Sequence, residues 1–457
     1  MIIISRNKLD FIQEEPFKAF LYLSIPIIGL LIFNELYSIF DTYFLAQLGN
    51  SVVIAMGYMG NIFYFINRSG KGIGRGTQSI ITRALGERDY ERANEVAVSG
   101  ILIIILLCVI FQLMMMFTLP YALNFIENKS SIPVIITYMS CLSMFMFPIL
   151  LSEYMTEILN AEGDSKQATY IMMIGSILNV ILDYLFICVL NMGVIGASLG
   201  TSLAYVGTLI IFFYEYIIND EVIIKINLRQ YKFNFAIFKE IVLNSIPIIL
   251  DSFLVTLFGL ITVAFLGWLV HPIMVVAYNL MVKFECVMTI PSAGFSRACN
   301  IVSGHLWGAK RFDVVKKSLK RSIIMSLLFS TIICVVLSLT MDFFAGFFTP
   351  NKGIWSEMFV ILPWIFLDTV CMSFMYNINQ VLIALGYSRF AFYSVASRVI
   401  TMLAFVILLG FILNLGGNGV FAALIISGVI QIIISYRLLN GLLNKADNGV
   451  ENTDSAI

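Results

Sequence analysis

The chain has 457 residues, of which 60% are hydrophobic and only 12% charged, with a mean hydropathy of +0.93. Water-soluble domains carry about 25% charged and about 45–50% apolar residues, so this composition excludes an ordinary soluble fold. The formal net charge is zero, which removes the basic field expected of a nucleic-acid binder, and no nucleic-acid partner is expected.

A membrane-spanning helix takes about 20 mostly apolar residues. In chain order the apolar runs predict spans at 17–47, 51–82, 93–119, 132–159, 167–190, 194–218, 235–268, 272–306, 314–341, 354–384, 390–413 and 418–440. The expected fold class is all-α and integral to the membrane, with twelve transmembrane helices. Six lie on each side of the polar segment NDEVIIKINLRQYKFN. The expected organisation is an N-lobe (1–218, helices 1–6), a cytoplasmic linker (219–234), a C-lobe (235–445, helices 7–12) and a polar C-terminal tail (446–457). Pro26 places a bending point inside the first helix, because proline removes a backbone hydrogen bond. None of the seven cysteines forms a C-x-x-C pair, so the spacing predicts neither a disulfide framework nor a zinc site.

Lysine and arginine set the orientation. With twelve spans, Lys8, Arg83, Arg92, Lys166, Lys225, Lys310, Arg389, Arg398, Arg437 and most other basic residues fall on the side of the N-terminus, and only Lys129 and Lys352 on the other. That bias predicts a multi-pass plasma (inner) membrane protein with both termini in the cytoplasm.

The two halves repeat. SIPII occurs at 24–28 and again at 245–249. Gly86 in LGERDYERA matches Gly308 in WGAKRFDVV, and AEGDSKQATY (161–170) matches ALGYSRFAFY (384–393), all at offsets of 221 to 223 residues. The chain is a duplicated six-helix unit. An even number of spans gives both copies the same orientation, so the lobes are related by a parallel pseudo-two-fold along the membrane normal. Parallel repeats of this kind are a transporter signature, with alternating access by rocking of the two lobes.

Polar residues inside apolar spans are the candidate functional groups, since an isolated ionisable group there costs about 2.5–3.5 kcal/mol by insertion scales. On the first span Asn34, Ser38 and Asp41 share a helix face, and on the fifth so do Ser176, Asn179 and Asp183. Thr201 lies in GASLGTS, whose glycines allow close helix approach. Two carboxylates among amide and hydroxyl oxygens suit a proton or a hard cation such as sodium. The alternative is that these groups hydrogen-bond between helices and only hold the bundle. Glu35, Glu153, Glu157, Asp251, Glu285 and Asp368 are further acids within spans. Only two histidines occur, with no H-E-x-x-H or G-x-S-x-G motif, so no catalytic residues and no enzyme activity are expected.

LNAEGDSKQATYIMMIGSILNVILDYLFI (159–187), GVIGASLGTSLAY (193–205) and FDTYFLAQLG (40–49) resemble the multidrug and toxic compound extrusion (MATE) family. The resemblance covers nearly the whole chain. It implies a V-shaped pair of six-helix lobes and an antiporter that exports amphipathic organic compounds, drugs and toxic metabolites, in exchange for H+ or Na+. It assigns the coupling proton or cation, Na+ included, to Asp41, Asn179, Asp183 and Thr201. Asn34, Ser38, Ser176, Glu285 and Asp368 are the expected substrate-cavity residues. The expected partners are a small organic substrate and membrane lipid; no cofactor is expected beyond the coupling ion, and the chain is expected to be a monomer. The second span departs from the simplest family pattern: Arg68, Lys71 and Arg75 in FINRSGKGIGRGTQS form one basic helix face. These cations either pair with acids from other helices, snorkel to the interface, or form a basic wall for anionic head groups or substrates. The last option favours a lipid-linked oligosaccharide flippase of the same superfamily as the alternative function.

Overall fold

The computed structural model describes residues 5–46, 48–122, 129–218, 222–226, 231–348 and 351–447. These are helical with no strand among them. A short helix, α1 (Ser5–Glu14), precedes the spans α2 (Pro16–Ala46), α3 (Asn50–Gly86) and α4 (Tyr90–Ala122). Then come α5 (Ile132–Met144), α6 (Met146–Ala161), α7 (Ser165–Asp183) and α8 (Gly193–Ile218). The second half comprises α9 (Phe235–Leu269), α10 (Pro272–Gly308), α11 (Phe312–Leu339), the short α12 (Met341–Phe348), α13 (Lys352–Ala384), α14 (Ser388–Phe405) and α15 (Gly416–Asp447).

Each expected span has its helix. The fourth is not straight: α5 and α6 meet at 60°. Pro148, on the first turn of α6, has no N–H for the carbonyl of Met144, so the ladder breaks there. Ten of the helices among the described residues are long and apolar enough to cross a bilayer, eleven with the bent pair taken as one span. The remaining long helix, α3, carries Arg68, Lys71 and Arg75 at its centre.

The sequence repeats have local structural causes. Gly163 and Gly386 both take positive φ, 83° and 90°, where a Cβ would be strained. Each closes a helix by bonding its following residue back: Asp164 N–H donates to the Leu159 carbonyl (3.1 Å) and Tyr387 N–H to that of Leu382 (2.9 Å). The same closure recurs after α3 and α10, with Arg88 and Lys310 in the left-handed position. Both α7 and α14 run into a π-helical turn, Tyr184–Val189 and Val406–Ile412.

Contacts divide the chain into two compact units, Met1–Phe11 with Gly29–Ile249, and Ile12–Ile28 with Leu250–Ile457. The division runs through α2 and α9, just after each SIPII string. Within the first unit a Cβ at Gly72 would strike Ile249; within the second a Cβ at Gly294 would strike Ile28. The last isoleucine of each string thus fills a notch over a glycine at the equivalent repeat position.

In the first unit, residues 222–226 form a strap over the α6–α7 turn. Val222 and Ile224 are buried in the core. Glu162, 1% exposed, accepts from Ile223 N–H (2.9 Å), and Asn94 accepts from Lys225 N–H (2.8 Å). Lys8 pairs with Asp164 beside it (2.7 Å). Burial pushes the Glu162 carboxyl up to about 8, against the partial relief of the Ile223 N–H and Lys8. A raised carboxyl favours the closed strap at low pH, and that advantage falls between its ordinary value of 4.5 and about 8. Hydrogen-exchange protection of the 222–226 amides should therefore decline across that window and then level off. In Glu162→Gln the decline should vanish; a decline of the same size in that variant would refute this account.

Candidate functional site

The fifth-span cluster is assembled in the first unit. α7 and α8 are held together by glycines: a Cβ at Gly196 would meet the Phe186 backbone, and one at Gly200 would meet Asp183 Oδ1. That closeness buries Asn179, Asp183 and Thr201, which are 3%, 1% and 6% exposed. The Asn179 amide turns its nitrogen to Asp183 Oδ2 (3.0 Å) and the Tyr37 hydroxyl (2.6 Å), and its oxygen accepts from the Thr201 hydroxyl (3.3 Å). The reverse orientation would set the amide oxygen against the Asp183 carboxylate and the amide nitrogen against the Thr201 N–H. Asp183 ends the regular part of α7, where the π turn begins; such turns often mark functional positions.

Tyr37, on α2, is the member that sequence reasoning missed. It reads as one more aromatic in an apolar run, and only the fold brings it to Asn179. Asp41 is one helical turn from Tyr37 on α2, but its side chain lies outside the described residues. Asn34 is half-buried and Ser38 exposed on the same helix. Ser176 donates to the carbonyl of Met172 on its own helix (3.0 Å), so its hydroxyl bonds within α7.

The basic face meets acids. Lys71 Nζ lies 3.3 Å from Glu153 Oε2, and Arg75 Nε lies 3.7 Å from Glu157 Oε1. Tyr205 also donates to Glu153 (3.4 Å). The two rungs join α3 to α6, and Gly74 makes room for Glu157. Arg68 has no carboxylate among the described residues and lies over the Tyr64 ring, 4.7 Å from its centroid.

The second unit holds a different cluster. Asp368 on α13 pairs with Arg398 on α14 at 2.6 Å, both 5% exposed. The guanidinium also lies 4.5 Å from the centroid of the Phe258 ring. Glu285 on α10 is a direct electrostatic neighbour of both Asp368 and Arg398. This corrects the placing of Arg398 among the cytoplasmic cations: it is a buried counter-ion. The available signal was two lone, opposite charges on consecutive spans, each requiring a partner. A separate cavity of about 500 Å3 in this unit is lined by Trp268, His271, Met274, Val360 and Asn418 among others, and none of the expected site residues reaches it.

Bilayer-length apolar helices with ionisable clusters buried among them make this a multi-pass membrane protein with polar sites inside its bundles. The MatE family model matches residues 26–185 and 247–415. The chain belongs to the MatE family, whose members are transporters and not enzymes. Multidrug export protein MepA of Staphylococcus aureus (strain NCTC 8325 / PS 47) is 26% identical over 268 residues, covering 57% of this chain and 58% of the relative. MepA of Staphylococcus saprophyticus is 28% identical over 262 residues, 56% and 57% of the two chains. The matched region thus spans less than three-fifths of these curated relatives. Among solved structures, a multidrug resistance MATE family transporter of the MOP superfamily in an outward-facing conformation superposes with TM-score 0.90 at 22% identity, over 96% of this chain and 98% of that one. A MOP superfamily transporter from Pyrococcus furiosus, reported with reversed polarity of its binding pocket, gives 0.89 at 22% identity over the same shares. Both likenesses bear on the fold.

Proposed function

We propose that the protein is a secondary antiporter that exports amphipathic organic compounds in exchange for H+ or Na+. It works as a plasma-membrane monomer with both termini in the cytoplasm. The observation that carries this reading is the buried Asn179–Asp183–Thr201–Tyr37 cluster: a carboxylate sealed among amide and hydroxyl groups is matched to a proton or a small hard cation. Asp41 is the second coupling carboxylate that the family resemblance assigns. Neutralising the site changes how α2 packs on α7 and α8, and the coupling ion and the substrate compete through that change. The names of the MepA relatives support drugs as cargo.

The flippase alternative rests on the basic face of α3. Two of its three cations already face glutamates, which leaves little basic charge for a pyrophosphate cavity. The test is export from vesicles with proton and sodium gradients imposed separately. A gradient of one ion should drive export of amphipathic cations, and the other should not. Export that ignores both gradients would reject antiport.

A further inference from the structure

The α3–α6 ladder has three cationic rungs and two acidic ones. Glu153 and Glu157 answer Lys71 and Arg75 one helical turn apart. One turn further along α6 the corresponding residue is Ile149, fully buried in the apolar core, and Gly70 of α3 packs there on Leu150. Arg68 is therefore the rung with no acid opposite it among the described residues.

Its surroundings leave it available to a ligand. Arg68 is the central residue of the 37-residue α3, about 27 Å from either end at 1.5 Å per residue. It is half-buried, and its neighbour Tyr64 is 45% exposed. A half-buried guanidinium held on a tyrosine face can grip a planar or tetrahedral oxyanion with two parallel hydrogen bonds. The exposed tyrosine ring gives an apolar tail a surface to lie on.

We propose that Tyr64 and Arg68 bind the oxyanion head of an amphiphile, either a transported compound or an anionic lipid. This rests on the transport reading and adds to it: an amphiphile carrying a carboxylate, sulfate or phosphate gains a contact here that a purely cationic one of equal tail length does not.

The test uses the full chain in phosphatidylcholine nanodiscs, titrated with an alkyl phosphate and with an alkyltrimethylammonium of the same chain length. Wild type should bind the phosphate at least about tenfold more tightly than Arg68→Gln does, with the trimethylammonium unaffected by the substitution. Arg68→Lys, which keeps the charge and lacks the fork, should lie between them and guards against a folding defect in the glutamine variant. Adding phosphatidylglycerol to the nanodiscs separates the sources. If it weakens alkyl phosphate binding only where Arg68 is present, the occupant is lipid; if it does not, the occupant is a soluble amphiphile. Equal alkyl phosphate affinity in folded wild type and Arg68→Gln overturns the proposal, as does inorganic phosphate competing as well as the amphiphile. Because no gradient is applied, a negative result leaves the export reading standing, and failed export leaves this binding result intact.

Discussion

Asp183→Asn is expected to reduce gradient-driven export about 5- to 150-fold, the range of a typical coupling free energy of 1–3 kcal/mol, with the protein still inserted and folded. Asparagine keeps the size of the side chain and can still accept from the Asn179 amide, so the local packing survives. What it loses is the charge that a proton or cation must neutralise, in a site only 1% exposed. The neighbours should grade below it. Thr201→Ala removes a hydroxyl that water can replace. Tyr37→Phe removes the 2.6 Å contact to Asn179 and leaves the ring in place. Gly200→Ala should act through Asp183, because its added methyl occupies the space of Oδ1. Export from vesicles at matched expression checks the order. Normal transport by Asp183→Asn would move the coupling out of this cluster.

The sequence resolves the fold and this site unequally. Apolar runs long enough to cross a bilayer leave few alternatives, so the long helices, with α5 and α6 as one bent span, fall close to their expected positions. The repeats were visible as letters, and their causes are local: a left-handed glycine at Gly163 and Gly386, and an isoleucine seated over Gly72 or Gly294. Asn179, Asp183 and Thr201 stood out because each is polar where its surroundings are not. Tyr37 and Arg398 did not. A tyrosine among aromatics carries no pattern, and an arginine near a span end looks like a loop residue until its partner is located. The sequence left open whether the α3 cations faced acids or a ligand, since the answer depends on how α3 meets α6. The fold pairs Lys71 and Arg75 with glutamates and sets no carboxylate against Arg68 among the described residues.

Removing Arg398 should destabilise the protein more than removing Asp368. Breaking a buried ion pair by deleting one partner typically costs about 3–5 kcal/mol, because the remaining charge stays buried and uncompensated. Here the two deletions are not equivalent. Asp368→Asn leaves the guanidinium with Glu285, already its electrostatic neighbour. Arg398→Gln leaves two carboxyl groups and no cation, in a site where Asp368 is 5% exposed. Asp368→Asn/Arg398→Gln should recover most of the lost stability, since a neutral pair of similar volume is often no worse than the ion pair it replaces. Thermal unfolding of the purified variants tests the order; equal losses from the two single substitutions would show that Glu285 does not serve as the reserve partner. Transport separates structure from coupling. If Arg398 is a fixed internal counter-ion and the first unit carries the exchanged ion, the folded double variant keeps export close to wild type. Loss of export as complete as in Asp183→Asn, with stability restored, would place the exchange at Asp368 and Glu285 instead.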